Sequence, residues 1–279
     1  MRTLVLLFLA AIGAALPAAA QTPAEPIRLT RITHIYGIFP HPQDAERVII
    51  ATDRGIYAAG PDGNALQIST DIEARQAFGV TREGNFLATG AAGEGAVISR
   101  NFGQTWVRLS QGTQPGPFLV IEPSLVDARL VYAATASMLY RSDDGGLTWI
   151  ELGPAPAPVV DMAGASTRDV VYLATARGLY RSADGGRTWA LLAAEGSNRA
   201  TSAVATMPDG FTYAFVTGVG LVAINANGVG WAVGAPAAHF DGALLHFTAR
   251  QSGRAYAVTQ FMKILVSEDR GRTWAPFNR

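Results

Sequence analysis

The sequence contains no cysteine. Disulfides, Cys-ligated zinc, thiol nucleophiles and Cys-anchored lipids are therefore excluded as sources of stability or chemistry. Lysine is nearly absent: among 22 basic residues only Lys263 is a lysine, a bias that a GC-rich genome explains without functional enrichment. Neither sign of charge is in surplus, with 22 Lys and Arg against 22 Asp and Glu in 279 residues. A nucleic-acid binder working through bulk electrostatics needs a basic surplus. Charged residues make up only 16% and hydrophobic residues 49%, which argues against disorder as the dominant state. After residue 20 there is no apolar run long enough to span a bilayer. Nor is there a stretch with a 3.6-residue apolar period and helix caps. What the chain does have is 30 glycines and 9% aromatics, a mixture suited to many short strands and turns.

The first twenty residues read as a secretory signal peptide. Met1-Arg2-Thr3 is a short positive start, Leu4 to Leu16 is apolar, and Ala18-Ala19-Ala20 supplies an A-x-A site before Gln21. The apolar run spans 13 residues before Pro17, whereas a spanning helix needs about 20. Cleavage is expected after Ala20, followed by a flexible leader at 21–26 and a single domain over 27–279. The expected location is periplasmic or extracellular, and the expected state is a monomer.

The rest of the chain is a repeat. Val131 to Trp149, Val171 to Trp189 and Ala255 to Trp274 align with one another, and Asn85 to Trp106 is a fourth copy. Weaker copies end at Trp231, keeping Gly228, and at Leu66, keeping Gly63. The endpoints 66, 106, 149, 189, 231 and 274 are spaced by 40, 43, 40, 42 and 43 residues. A near-constant period with diverged sequence marks a modular array. Each unit reads as four strands; in the third they are Phe118–Glu122, Leu130–Thr135, Met138–Ser142 and Thr148–Leu152, separated by Gly, Pro, Asp and Ser clusters. Four strands per roughly 40 residues, repeated, predicts an all-β, six-bladed β-propeller of four-stranded antiparallel blades, with seven blades as the weaker alternative.

The turn from third to fourth strand carries Ser-x-Asp-x-Gly-x-Thr-Trp. It stands at Ser142, Asp144, Gly146, Thr148 and Trp149, at Ser182, Asp184, Gly186, Thr188 and Trp189, and at Ser267, Asp269, Gly271, Thr273 and Trp274. A near copy has Ser99, Asn101, Gly103, Thr105 and Trp106. The spacing suits a tight hairpin. Asp accepts hydrogen bonds from backbone N–H groups of its own turn, Gly supplies positive φ, and Trp buries a large ring between neighbouring sheets. A residue required in every copy for turn geometry does not mark a single site, so these aspartates are structural.

The pattern resembles the Asp-box, or bacterial neuraminidase repeat, over essentially the whole chain after residue 20. That superfamily includes sialidases, other glycosidases, sortilin-type receptors and photosystem II stability/assembly factor-like proteins. The short blades with Leu-Tyr-Arg-Ser-x-Asp-Gly-Gly-x-Thr-Trp runs are most similar to the last group. The resemblance implies box turns that lie away from the ligand face. Against the sialidase pattern, Arg31-Ile32 is followed by Thr33 rather than Pro, and the remaining catalytic parts are not found.

Function is expected on the opposite rim, where second-to-third-strand turns and blade connections converge. Counting twelve residues back from each Trp position gives Arg54, Glu94, Ser137, Arg177, Val219 and Met262. Asp53, Arg54, Glu94, Arg177 and Lys263 form the expected partner-binding ring, with Asp71, Glu73, Glu195 and Arg199 on the connections. His34, Tyr36, Glu122, Asp161 and His246 fall on or beside first strands that line the channel, where ordinary structural roles are also open to them. His41 and His239 have no partner at ligand spacing. No catalytic residue, cofactor or metal is expected. The reading is an exported, non-enzymatic module that binds a protein or peptide, with a sialidase-like glycoside hydrolase or carbohydrate binder as the alternative. A hydrolase would need two carboxylates, for which Asp53 or Asp71 with Glu94 is the candidate pairing. Ile27 to Ile32 alternates apolar and polar, and either closes the ring beside Trp274–Phe277 or leads into the first blade.

Overall fold

The computed structural model describes residues 25–69, 77–81, 83–89, 96–109, 115, 117–192, 197–207, 210–225, 227–228, 232–249 and 252–278. Residues 1–24, which hold the expected signal peptide and most of the expected leader, lie outside the described residues, as do Asp71, Glu73, Glu94 and Glu195.

Six antiparallel sheets follow one another along the chain. Their innermost strands are Ile35–Pro40, Phe78–Val80, Val120–Pro123, Val159–Gly164, Thr201–Thr206 and Leu244–Ala249, for blades 1 to 6. In every blade the chain then runs outward through a second, third and fourth strand, as in blade 3 with Val131–Ala134, Met138–Ser142 and Ile150–Pro154. No α-helix occurs among the described residues; Leu29–Arg31 and Ala237–His239 are single 3-10 turns. The structure is thus the six-bladed propeller that the spacing predicts.

Each blade is packed on both faces, and this decides where the core lies. Every residue of the second strands, such as Val48–Thr52, Val171–Thr175 and Ala255–Thr259, is buried. A strand buried on both faces reads as a continuous apolar run rather than an alternation, which is how Val-Ile-Ile-Ala-Thr and Val-Tyr-Leu-Ala-Thr read here. The buried apolar side chains form six clusters, each spanning one pair of neighbouring blades. The box tryptophans obey one rule, each packing into the seam with the preceding blade. Trp106 lies between blades 1 and 2, Trp149 between 2 and 3, Trp189 between 3 and 4, and Trp274 between 5 and 6.

The ring closes by side-chain packing and not through a shared blade. Ile27–Arg28 pairs with Asn64–Ala65, so the N-terminal segment is a fifth, outermost strand of blade 1 and does not pair with blade 6. The seam between blades 6 and 1 has its own cluster, including Ile35, Val48, Tyr256, Val258 and Phe277. Around it, Arg254 Nη1 donates to Glu46 Oε1 at 2.6 Å and the Tyr256 hydroxyl donates to the Ala45 carbonyl at 3.3 Å.

The box turns have the bonding that their spacing implies. In blade 3 the Ser142 hydroxyl donates to Asp144 Oδ1 at 2.7 Å and accepts from the Gly146 N–H at 2.8 Å. Asp144 Oδ1 accepts from the Thr148 N–H at 2.9 Å, and the Thr148 hydroxyl donates to Oδ2 at 2.5 Å. In blade 2 Asn101 replaces the aspartate, and the last bond is reversed: Asn101 Nδ2 donates to Thr105 Oγ1 at 2.9 Å. Gly186 has φ +87, and a Cβ there would lie 2.8 Å from Leu152 Cδ1, so both conformation and packing require glycine.

Candidate functional site

An antiparallel meander places its turns alternately at two ends. Turns between first and second strands share an end with the box turns, while turns between second and third strands lie at the other end. The sequence-derived candidates fall as counted. Asp53 and Arg54 sit between Val48–Thr52 and Gly55–Ala59, Arg177 between Val171–Thr175 and Gly178–Ser182, and Lys263 between Ala255–Thr259 and Ile264–Ser267. A threonine ending the second strand organises each of these turns: Thr52, Thr175 and Thr259 Oγ1 accept from the N–H of Arg54, Arg177 and Lys263 at 3.0, 3.1 and 3.3 Å.

The side chains of this group are not one cluster of ion pairs. Arg54 and Arg177 are exposed, with no ion pair or side-chain hydrogen bond among the described residues. Asp53 is half-buried and accepts from the Thr33 hydroxyl at 3.4 Å. Lys263 pairs with Asp241. Arg199 reaches the neighbouring turn, where a Cβ on Gly218 would stand 3.1 Å from its Nη1. The pairing of Asp53 or Asp71 with Glu94 lies partly outside the described residues. The same end also exposes apolar side chains that the sequence reading did not single out. Phe261 is 63% exposed in the blade 6 turn, and Leu119 and Val160 are 43% and 44% exposed at the entrances to the first strands of blades 3 and 4. In blade 4 the pairing register skips Val160, so the strand carries one extra residue there, a bulge of the kind that re-aims side chains.

The channel holds the polar residues of the first strands, and they bridge blades. Glu122 Oε1 accepts from the Gly164 N–H at 3.3 Å, joining blade 3 to 4. Asp161 Oδ2 accepts from the Val204 N–H at 2.8 Å, joining 4 to 5, while its Oδ1 takes the Met162 N–H at 2.9 Å. The Ser202 hydroxyl donates to the Leu244 carbonyl at 2.7 Å, joining 5 to 6, and His246 Nε2 lies 3.0 Å from the Ile35 carbonyl, joining 6 to 1. A carbonyl only accepts, so His246 carries its proton on Nε2. Between blades 2 and 3 a glycine takes the place of a bridge. A Cβ on Gly79 would lie 2.5 Å from Pro123 Cδ and 2.6 Å from the Ile121 carbonyl oxygen.

Burial shapes the protonation of these groups. Loss of solvation, reinforced by the Asp161 charge, pushes Glu122 up to about 8. Loss of solvation pushes Asp161 up to about 7 against the two N–H bonds it accepts. Burial pushes His246 down to about 4, so it is neutral at pH 7. The box aspartates shift the other way: the Thr188 and Thr273 hydroxyls and N–H groups hold Asp184 and Asp269 below the usual carboxylate range.

Glu122, Asp161 and His246 line a cavity of about 710 Å³ together with Phe39, Leu125, Val126, Ser166 and Met207. These lining residues include first-to-second-strand turns, so the cavity opens on the face that carries the boxes, opposite to the expected ring of Arg54, Arg177 and Lys263. Sequence reading placed Glu122, Asp161 and His246 on first strands; the cavity itself has no sequence signal, because it is formed between blades about 40 residues apart. The other histidines have local roles or none. His41 Nδ1 accepts from the N–H groups of Gln43 and Asp44 at 3.2 and 3.1 Å, which caps a turn. His34 stacks on Tyr36 with ring centroids 6.4 Å apart. No group of three or more His, Asp and Glu at metal-binding distances occurs among the described residues.

No family model matches the chain, and no curated protein matches it. Solved structures do. YCF48 bound to D1 peptide superposes with a TM-score of 0.54 at 17% identity, over 94% of this chain and 86% of that one. The Niastella koreensis GH74 enzyme gives 0.60 at 15% identity, over 89% of this chain but only 38% of the enzyme. Virginiamycin B lyase from Staphylococcus aureus gives 0.56 at 13% identity, over 87% of both chains. What this chain shares with all three is the propeller fold, and a fold that hosts a binding protein, a hydrolase and a lyase does not select a function.

Proposed function

We propose that this protein is an exported, non-enzymatic propeller that binds a protein or peptide on the face of its second-to-third-strand turns. The observation that carries the reading is the composition of that face. Arg54 and Arg177 stand exposed without ion pairs among the described residues, on the same end as exposed Leu119, Val160 and Phe261. Exposed apolar and aromatic side chains on one face with exposed arginines match a protein interface, in which arginine and aromatic residues are enriched. YCF48, which has this fold, has been solved with a peptide bound. Export rests on the signal-peptide pattern of residues 1–20.

The hydrolase alternative has less support. The carboxylates that share the channel, Glu122 and Asp161, would have to act as acid and base or nucleophile. Asp161 spends both oxygens on backbone N–H groups of Met162 and Val204, which is a structural use.

Selection of displayed random peptides on the mature protein, followed by titration of the selected peptides, tests the reading. Arg54→Glu with Arg177→Glu is expected to weaken binding by roughly tenfold or more, as loss of interface arginines does, with an unchanged unfolding transition. Peptides that bind the double variant equally well overturn the assignment of the face. Turnover of an aryl glycoside panel, including a sialoside, at enzyme-like rates overturns the non-enzymatic reading.

A further inference from the structure

The geometry points to a second site at the opposite end of the channel: the cavity on the box face binds a small organic cation, a primary or quaternary ammonium group, with the Glu122 carboxylate as its counter-ion. The site is independent of the peptide-binding reading and uses none of its residues.

Size and enclosure come first. The cavity of about 710 Å³ lies within the range of small-molecule sites, which run from roughly 300 to 1,000 Å³. Among the described residues its charge has one sign. The titratable groups that line it are Glu122 from blade 3, Asp161 from blade 4 and His246 from blade 6. The first strands of blades 1, 2 and 5 contribute Phe39, Val80, Val204 and other uncharged residues, and no Arg or Lys lines it among the described residues. His246 gives its Nε2 proton to the Ile35 carbonyl and brings no positive charge.

The two carboxylates are not equivalent. Asp161 is committed on both oxygens to backbone donors. Glu122 accepts one long bond on Oε1, at 3.3 Å, and no described group donates to its Oε2. A half-buried carboxylate with an open oxygen, in a channel where it also feels the Asp161 charge, either holds a proton or takes a cation. The structure narrows which cation. A calcium ion takes 6–8 oxygen ligands, whereas no third acidic or histidine ligand joins this pair among the described residues. The remaining walls are mixed: Phe39, Leu125 and Met207 suit the alkyl groups of an organic ammonium, whose charge also gains from an aromatic face, while Thr81, Ser166, Thr206 and Thr248 add uncharged polar surface.

Binding and protonation are then linked. The cation favours the ionised carboxylate, so its arrival expels a proton wherever Glu122 is still protonated, and affinity rises with pH until Glu122 is ionised. This linkage is a property of the charge pair and is not shared by an apolar molecule that merely fills space.

Calorimetric titration of the mature protein with tetramethylammonium chloride and with n-butylammonium chloride tests the site. The titrations are run in buffers of different ionisation enthalpy. At about pH 7 the heat is expected to show release of nearly one proton per cation bound, and affinity is expected to rise roughly fiftyfold between about pH 6 and pH 8, since Glu122 stands at about 8. Glu122→Gln, which keeps an oxygen for the Gly164 N–H, is expected to weaken binding by roughly tenfold or more and to cut the proton release to the part that Asp161 supplies. The wild-type proton release needs no variant and decides the matter if Glu122→Gln does not fold. Equal binding of neopentyl alcohol, a neutral molecule of similar size and branching, binding of calcium chloride with none of either ammonium, unchanged affinity in Glu122→Gln, or no binding of either ammonium above about pH 8 overturns the proposal.

Discussion

The channel carboxylates make stability fall with rising pH in a range where most proteins are indifferent, and the size of the effect follows from the structure. Burial raises Glu122 from 4.5 to about 8 and Asp161 from 3.8 to about 7. The protonated forms therefore favour the folded state. Their full stability is present below the unfolded values near 4, and is lost as pH rises through 7 and 8. At about 1.4 kcal/mol per pH unit, Glu122 alone would forfeit roughly 3 kcal/mol between about pH 6 and pH 9, and Asp161 roughly 1 kcal/mol more. Both side chains keep some contact with channel water, which reduces the sum to about 2 kcal/mol. For a domain of this size that corresponds to a fall in Tm of roughly 4–8 °C. His246 works in the opposite direction. Its neutral form favours the fold, so stability is lost as pH falls from 6.5 through about 4, which offsets part of what the carboxylates contribute over that range. Urea unfolding of wild type and Glu122→Gln across this range is the assay. The variant should lose more than half of the alkaline slope, because it removes one titrating group and relieves the like charge on the other. Equal slopes for the two proteins would refute the assignment of the alkaline limb to the channel.

The remaining outcomes concern the scaffold. Asp184→Ala removes an acceptor for the N–H groups of Thr188 and Arg187 and the hydroxyls of Ser182 and Thr188; it should cost about 2 kcal/mol in urea unfolding. Combined with Asp269→Ala, two blades away, the losses should add within about 0.5 kcal/mol. Gly79→Ala forces a methyl against Pro123 and the Ile121 carbonyl, and should destabilise by about 2 kcal/mol, read as a lower Tm. Beginning the chain at Thr30 deletes only the short outer strand Ile27–Arg28 and partly buried Leu29, and should cost about 1 kcal/mol. Ile32→Ala, at a residue 6% exposed in the seam between blades 6 and 1, should cost about 2–4 kcal/mol; a larger loss from the truncation than from Ile32→Ala would contradict closure by packing alone.

Sequence and tertiary structure contributed at different ranges. The box turns were legible because their chemistry is local. Ser142, Asp144, Gly146 and Thr148 satisfy one another within a few residues, so the same spacing gives the same turn wherever it stands. Repetition of that turn at a near-constant interval fixed the number of blades, since a closed ring needs whole units. The positions of Arg54, Arg177 and Lys263 on one end also followed, because an antiparallel meander alternates its turns. What no local pattern carries is which side chains meet across a seam. Glu122 and Asp161 are 39 positions apart and become neighbours only because blades 3 and 4 pack face to face. Ring closure likewise depended on Ile27–Arg28 choosing the edge of blade 1 over that of blade 6, a competition between two similar strand edges that the sequence of either edge leaves open. The sequence set the blades and their turns through local hydrogen bonding; the packing of one blade on the next created the channel, its raised carboxylates and the cavity they line.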